Sequence, residues 1–429
     1  MLLDNPLLSG SLSPESMSKI AETLVNHKKP LILCNTSTEA RFDKVSKLAK
    51  AFPELDIVMQ GTTWNTNRLF FEVMDQNSNL YFDISSNHTN GILEITKKHF
   101  GIQRALYSST WPQKSMGAMK SMVEYADITD ADKTLVASGN ACRLFGISHN
   151  ELTLYDDSQC KLDEIALEAD AGKPISVPVI DAHSHIGAKG CATNTTIMKF
   201  SSPDEIVKKL DRTGIDTTFT APWSGISYDG IQAGKEILDA YKNYPGRFLG
   251  YMCYNPNYPN NLESAKEMIL QNPDAFVGIK PYPPSFGFEL TDDVMKDWFE
   301  FADKHHLLVL IHGGNAHYAE QTDYLSSIYK NATFVLAHCG VNFSIAKKCA
   351  EIANKRDNVV LDITITATTR KMVEFLVAEV GADKIVFGSD MPMRDLSPQL
   401  GWICYADIPI EDKKKILAEN IKRLLDKRI

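Results

Sequence analysis

The 429-residue sequence has no Cys-x-x-Cys pair; its eight cysteines (Cys34, Cys142, Cys160, Cys191, Cys253, Cys339, Cys349 and Cys404) are scattered. This excludes a zinc knuckle and a small disulfide framework, and reduced thiols in the cytoplasm are expected. No run approaches the roughly eighteen uninterrupted apolar residues of a membrane span. Met1-Leu2-Leu3-Asp4-Asn5-Pro6 also lacks a basic region ahead of an apolar core, so neither membrane insertion nor export is expected. Basic residues are not in excess: 45 against 54 acidic ones give a net charge of −9, which argues against a general nucleic-acid binder and says little about a small-molecule substrate, the partner expected from the site residues below. At 44% hydrophobic and 23% charged, the composition is that of an ordinary soluble protein, and the length predicts two domains with separate cores.

What is present begins with Val179-Ile180-Asp181-Ala182-His183-Ser184-His185, a β-branched apolar strand closed by two histidines. Side chains at i and i+2 of a strand share a face, so both imidazoles point one way and can start a divalent-metal site. A lone His-x-His pair reads equally well as two satisfied histidines; recurrence elsewhere decides. Short apolar strands alternate with amphipathic helical stretches through the second half of the chain. Strands are predicted at Val179 to His183, Asp216 to Ala221, Phe248 to Cys253, Phe276 to Lys280, Leu307 to His312, Thr333 to His338, Asn358 to Ile363 and Lys384 to Ser389. Helix-like sequence follows each, as at Ser202-Pro203-Asp204-Glu205, with a Ser cap, Pro in the first turn and acidic residues after it. Eight such units in about 250 residues predict an α/β fold, a (β/α)8 TIM barrel with its active site at the carboxyl ends of the strands.

Reactive side chains stand at those ends: His183 and His185 after the first strand, Lys280 after the fourth, His312 after the fifth, His338 after the sixth, Asp390 after the eighth. Each taken singly is more often structural. Together, several buried imidazoles and a carboxylate without a metal would leave polar groups unpaired.

The motifs Asp-Ala-His-Ser-His, Gly-Ile-Lys-Pro, Ile-His-Gly-Gly, Leu-Ala-His-Cys-Gly and Gly-Ser-Asp-Met-Pro run in this order between Pro178 and Ile429. They resemble the amidohydrolase superfamily, in particular the amidohydrolase 2 branch of metal-dependent hydrolases and decarboxylases related to aminocarboxymuconate semialdehyde decarboxylase. The resemblance implies one divalent metal held by His183, His185, His312 and Asp390, with His338 beside the open coordination position. Zn²⁺ is the expected ion, and Mn²⁺, Fe²⁺ or Co²⁺ would suit the same N/O ligands. A second metal would need a carboxylated bridging lysine, and Lys280 is read instead as a structural or substrate-facing cation. The metal would bring the pKa of a water to about 7. Asp390 would take its proton and deliver it to the leaving group, and His338 would stabilise charge on the attacked carbonyl. The implied activity is hydrolysis of an amide, ester or lactone of a small carboxylated molecule. A non-oxidative decarboxylase or hydratase on the same site is the alternative, and a pure interaction protein is disfavoured by the complete ligand set.

Substrate contacts are expected from the loops after the strands: Trp223, Tyr254, Asn255, Lys280, Tyr282, His317 and Arg394. Trp223 and Tyr254 read more readily as packing residues than as ligand contacts, and Arg394 either clamps a substrate carboxylate or lies exposed against Asp395. Cys191 has no base identifiable beside it and is read as a bystander thiol.

Residues 1–150 look like a worn copy of the last half of the barrel. Pro30 to Cys34 matches Leu308 to His312, Asn79 to Ile84 matches Asn358 to Ile363, Leu106 to Pro112 matches Val386 to Pro392, and Gly139 to Leu144 matches Glu419 to Leu424, at separations of 278 to 280 positions. The reactive positions have changed: Cys34 stands for His312, Gln60 falls near His338 and Thr110 stands for Asp390, so this degenerate α/β half-barrel domain is expected to be catalytically inactive and metal-free. His88 and His99 have no partners at metal spacing. The stretch Glu151 to Asp170, with seven carboxylates and one lysine, reads as a solvated linker, extended to residue 177 and followed by the catalytic barrel at 178–429. Four strands, near Leu31, Ile57, Tyr81 and Leu106, cannot close a barrel and would leave an apolar face and two edges open. Pairing of two such copies across a homodimer is the first expectation; the alternative is a small sandwich lying on its own barrel as a lid.

Overall fold

The computed structural model describes residues 2–3, 12–148, 161–187 and 196–427 of the protein. Cys191 and the first part of the acidic linker, 151–160, lie outside the described residues. Two parallel sheets organise the rest. The first has five strands in sequential order: β1 (Leu2–Leu3), β2 (Leu31–Leu33), β3 (Ile57–Met59), β4 (Leu80–Asp83) and β5 (Ala105–Leu106). The second has eight, also in order: β6 (Ile180–Ser184), β7 (Thr217–Thr220), β8 (Phe248–Cys253), β9 (Phe276–Lys280), β10 (Leu308–Ile311), β11 (Thr333–Leu336), β12 (Val359–Asp362) and β13 (Ile385–Val386).

All eight predicted barrel strands are present. The last is shorter than expected, because Asp390 takes a left-handed conformation (φ 59°) and the Phe387 N–H leaves the ladder for the Ile416 carbonyl, 3.0 Å away. The barrel closes between this segment and β6: Ala182 N–H donates to Phe387 O (2.9 Å), Asp390 N–H to His183 O (2.7 Å) and His185 N–H to Met391 O (2.6 Å). Asp181, fully buried, clasps the same seam by accepting from the His183 N–H, the Ser389 N–H and hydroxyl, and the Thr218 hydroxyl. Period-2 alternation supplies the core. Ala182, Phe219, Tyr251, Val277, Leu310, Val335, Val360 and Val386 fill one cluster with Ile421 and Leu424 of the C-terminal helix, while Val309, Ile311, Phe334 and Leu336 pack on the other side. Burying each Val, Leu, Ile or Phe of these clusters stabilises the fold by roughly 1.5–3 kcal/mol. After β6 the predicted helix start is observed, Pro203–Thr213, with Ser202 and Glu205 forming a capping box.

The N-terminal sheet differs from expectation in two ways. It has a fifth strand, Leu2–Leu3, which covers the edge of β2 and is too short for a periodicity reading to find. Neither face is left bare: Leu31, Leu33, Ile57, Met59 and Phe82 pack with Phe42, Val45 and Phe70 of the helices, and Val58, Tyr81 and Leu106 pack with Leu144. The unit lies on its own barrel, the second of the two expected arrangements. Part of the linker is likewise packed and not solvated, because Glu164–Asp170 is a helix with Ile165, Ala166 and Ala169 buried.

The two units also share local detail. Asn79 Nδ2 donates to the carbonyls of Ala49, Phe52 and Leu55, and Asn358 Nδ2 to those of Ser326, Tyr329 and Ala332. Asn140 binds the carbonyls of Ile102 and Ala105; Asn420 binds those of Ala382 and Ile385.

Candidate metal centre at the barrel mouth

β6 delivers His183 and His185 to one face, with ring centroids 5.5 Å apart. Each imidazole is fixed through Nδ1: His183 to Asp362 Oδ2 (2.7 Å), His185 to the Ala221 carbonyl (2.7 Å), His338 to the Thr364 carbonyl (2.6 Å). Donation from Nδ1 leaves the Nε2 lone pair as the ligand. His185 Nε2 stands 3.0 Å and His183 Nε2 3.6 Å from Asp390 Oδ1, and these three residues offer ligand atoms all within 4.8 Å of one another. Two acceptors facing each other at 3.0 Å in a buried site repel unless a cation lies between them. Asp390 Oδ2 is itself buried with no hydrogen bond: Arg394 Nη2 is 2.8 Å away but out of line for one. A divalent ion fits this donor set.

Burial holds the pKa of His183 and His312 well below the usual imidazole range and brings His338 down to about 4, so these rings are neutral, as ligands must be. Burial works to raise the pKa of Asp390, but the Arg394 guanidinium beside it outweighs burial and keeps the carboxylate ionised. His312 stands one ring further round, its centroid 5.0 Å from His338, which in turn lies 5.2 Å from His183. His338 (φ 62°) and Asp390 (φ 59°) both sit in the left-handed region, strained conformations that turn their side chains off the strand ends into the mouth.

A cavity of about 520 Å³ opens onto the cluster, lined by His185, His312, His338, Asp390, Trp223, Lys280, Tyr282 and Arg394, together with Trp64, Asn65 and Thr66 of the N-terminal unit. Lys280 Nζ is buried without a hydrogen-bond partner among the described residues, and burial lowers its pKa to about 8. Arg394 Nε and Nη1 are likewise buried and unpartnered.

Three expectations are corrected, and Tyr254 takes the packing role that the sequence favoured for it. Arg394 is buried and pairs with Asp390, while Asp395 pairs with Lys209 (3.1 Å). Tyr254 is buried against Trp298 (5.9 Å) outside the cavity. Asn255 organises its own loop by bonding the Tyr228 carbonyl and Asn257. His317 is exposed and pairs with Glu289 (2.7 Å). Sequence reasoning missed Asp362, which orients His183, and Trp64. Asp362 was visible as a carboxylate ending an apolar strand, whereas Trp64 carried no signal in its own segment. A Cβ on Gly388 would come within 2.6 Å of Asp362 Oδ1, so the glycine of Gly-Ser-Asp makes room for that carboxylate.

An amidohydrolase family model matches residues 4–147 and 227–427, one segment in each unit, and the chain belongs to the amidohydrolase family of enzymes. No curated protein matches it. Among solved structures it is similar to an uncharacterised TIM-barrel protein, Bb4693, of Bordetella bronchiseptica (17% identity over 58% of this chain and 99% of that one, TM-score 0.46). It is also similar to 2,6-dihydroxybenzoate decarboxylase from Rhizobium (14%, 59% and 99%, TM-score 0.45). A third is 5-carboxyvanillate decarboxylase of Novosphingobium aromaticivorans, complexed with manganese (15%, 59% and 96%, TM-score 0.47). Among the described residues no helix is long and apolar enough to cross a membrane.

Proposed function

We propose that the chain is a metal-dependent enzyme for a small planar carboxylate and that its reaction is non-oxidative decarboxylation. The observation that carries this reading is the set of buried donors beside the ligand cluster with no hydrogen-bond partner among the described residues: Lys280 Nζ, and Nε and Nη1 of Arg394, whose Nη2 is paired with Asp390. The carbonyl of a neutral amide or lactone could accept from one of these donors but would leave the buried charge of Lys280 unbalanced, whereas a carboxylate balances it and accepts from Arg394 as well. Arg394 touches Asp390, so the groups that recognise the carboxylate stand at the reacting centre and the carboxylate is itself the reacting group. Trp64, Trp223 and Tyr282 supply flat walls for a planar body.

His183, His185 and Asp390 would hold the metal, with His312 as the fourth ligand. Zinc or manganese suits this donor set, and when bound the ion polarises substrate oxygens and so draws electron density from the reacting carbon. The bond from that carbon to the carboxylate breaks, the electron pair stays on the carbon and takes up one proton, and carbon dioxide leaves. Lys280, an ammonium with three protons and no hydrogen-bond partner among the described residues, and His338, a neutral ring fixed through Nδ1, line the place where Lys280 would hand over that proton. Hydrolysis of a carboxylated lactone or amide is the second reading, favoured by Asp390 Oδ2, an acceptor with no hydrogen bond that could take a proton from water.

The test is to incubate manganese- and zinc-loaded protein with 2,6-dihydroxybenzoate, 5-carboxyvanillate, carboxylated lactones and N-acyl amino acids while following carbon dioxide. Release from a carboxylate supports the proposal; acyl cleavage without carbon dioxide replaces it with hydrolysis. In either case His338→Asn should retain the metal and lower turnover about 10²-fold. Loss of metal in that variant would make His338 a ligand.

A further inference from the structure

The contacts between the two units are reciprocal. Ser115 N–H donates to the Thr368 carbonyl (2.9 Å) and Asp395 N–H to the His88 carbonyl (2.7 Å). Ser115 and Asp395 are 280 positions apart in the sequence, and so are His88 and Thr368. Helices Met116–Glu124 and Ser397–Cys404, at the same separation, pack on each other. Gly117 lies under the Tyr405 ring, and Gly401 lies against the Ser121 side chain and the Gly117 carbonyl. When residue i meets j and the equivalent of j meets the equivalent of i, the contact is isologous, the geometry of a two-fold dimer. Here both halves are in one chain.

The same packing brings the Trp64–Thr66 turn to the barrel mouth, where it is pinned. Asn67 Nδ2 donates to the Ile197 carbonyl (2.8 Å), Asn67 Oδ1 accepts from the Ile197 N–H (2.7 Å), and the Thr196 hydroxyl donates to the Asn65 carbonyl (2.8 Å). The Arg394 guanidinium carbon lies 5.3 Å from the centre of the Trp64 ring. A cation on an aromatic face away from water is held there electrostatically, and this contact, with the Nη2–Asp390 pair, keeps Arg394 beside the cavity, where its Nε and Nη1 have no hydrogen-bond partner among the described residues.

We propose that the N-terminal unit is a built-in second half of a pseudo-dimer whose Trp64–Thr66 turn completes the active site, with Trp64 the residue that positions Arg394 for the substrate carboxylate. The role of Trp64 rests on the carboxylate reading above; the placement of the turn in the site does not. The full-length, manganese-loaded chain is titrated with 2,6-dihydroxybenzoate and with the uncharged resorcinol. Trp64→Ala should weaken the carboxylate about 10-fold and leave resorcinol unchanged, with Trp64→Phe restoring most of the loss. Arg394→Leu should remove the preference for the carboxylate. If Arg394→Leu loses that preference while Trp64→Ala binds like the unaltered chain, Trp64 is no positioning residue. If the unaltered chain shows no preference, the carboxylate reading fails, and Trp64 loses its assigned role with it.

Asn65→Trp decides the other part without any ligand. It should fill the cavity from the N-terminal side and abolish the water-proton relaxation enhancement of bound Mn²⁺ while Mn²⁺ affinity stays unchanged. Unaltered water access would show that the N-terminal unit is not part of the site.

Discussion

Asp390→Ala should lower the unfolding free energy by about 3–5 kcal/mol, the usual result of leaving one member of a buried ion pair without its partner. Arg394 has no other carboxylate within salt-bridge distance among the described residues: Asp390 Oδ2 lies 2.8 Å from Nη2, and Asp395 is engaged by Lys209. The paired replacement Asp390→Ala with Arg394→Leu should recover much of the loss, because it removes the stranded charge as well. Urea denaturation of both single variants and the double variant measures the coupling. A single Asp390→Ala variant within about 1 kcal/mol of the unaltered chain would mean that the site is wet enough to solvate Arg394, against the burial argument used throughout.

The second large effect is on turnover. His183→Ala removes a neutral imidazole held at 2.7 Å by Asp362, and with it one of the three ligand atoms grouped within 4.8 Å. Loss of the ion forfeits several kcal/mol of charge stabilisation, so the rate should fall at least about 10³-fold. Asp362→Asn keeps the ring and weakens its orientation, for which metal affinity should fall about 10–100-fold. Metal content and rate measured on the same samples separate the two. Full metal content in His183→Ala would remove this histidine from the ligand set.

The barrel and its site were legible because their signals are local. A strand that buries both faces reads as an apolar run, and a histidine or aspartate ending such a run stands out against it, as His183, His312, His338 and Asp390 do. The repeat was legible for the same reason, since Asn79 and Asn358, or Asn140 and Asn420, keep their places at nearly constant separation while tying down equivalent turns. What stayed hidden depends on distance in the chain. Trp64 reaches the cavity only because two units pack together, and nothing within its own segment announces that. Arg394 follows Asp390 by four residues, yet its partner could be named only once the turn after β13 was seen to fold it inward, away from neighbouring Asp395. Tyr254 and His317 follow the right strands, but one turns into the core and the other finds Glu289 at the surface; position after a strand does not fix the direction of a side chain in a long loop.

The central claim is a single metal at the mouth that meets a substrate carboxylate. Electron paramagnetic resonance during Mn²⁺ titration of chelator-treated full-length protein tests it most directly, with 2,6-dihydroxybenzoate added at the end. One tightly held ion per chain, absent in His183→Ala and broadened by the carboxylate, is the predicted result. A chain that holds no Mn²⁺, or that holds it equally well without His183, would contradict it.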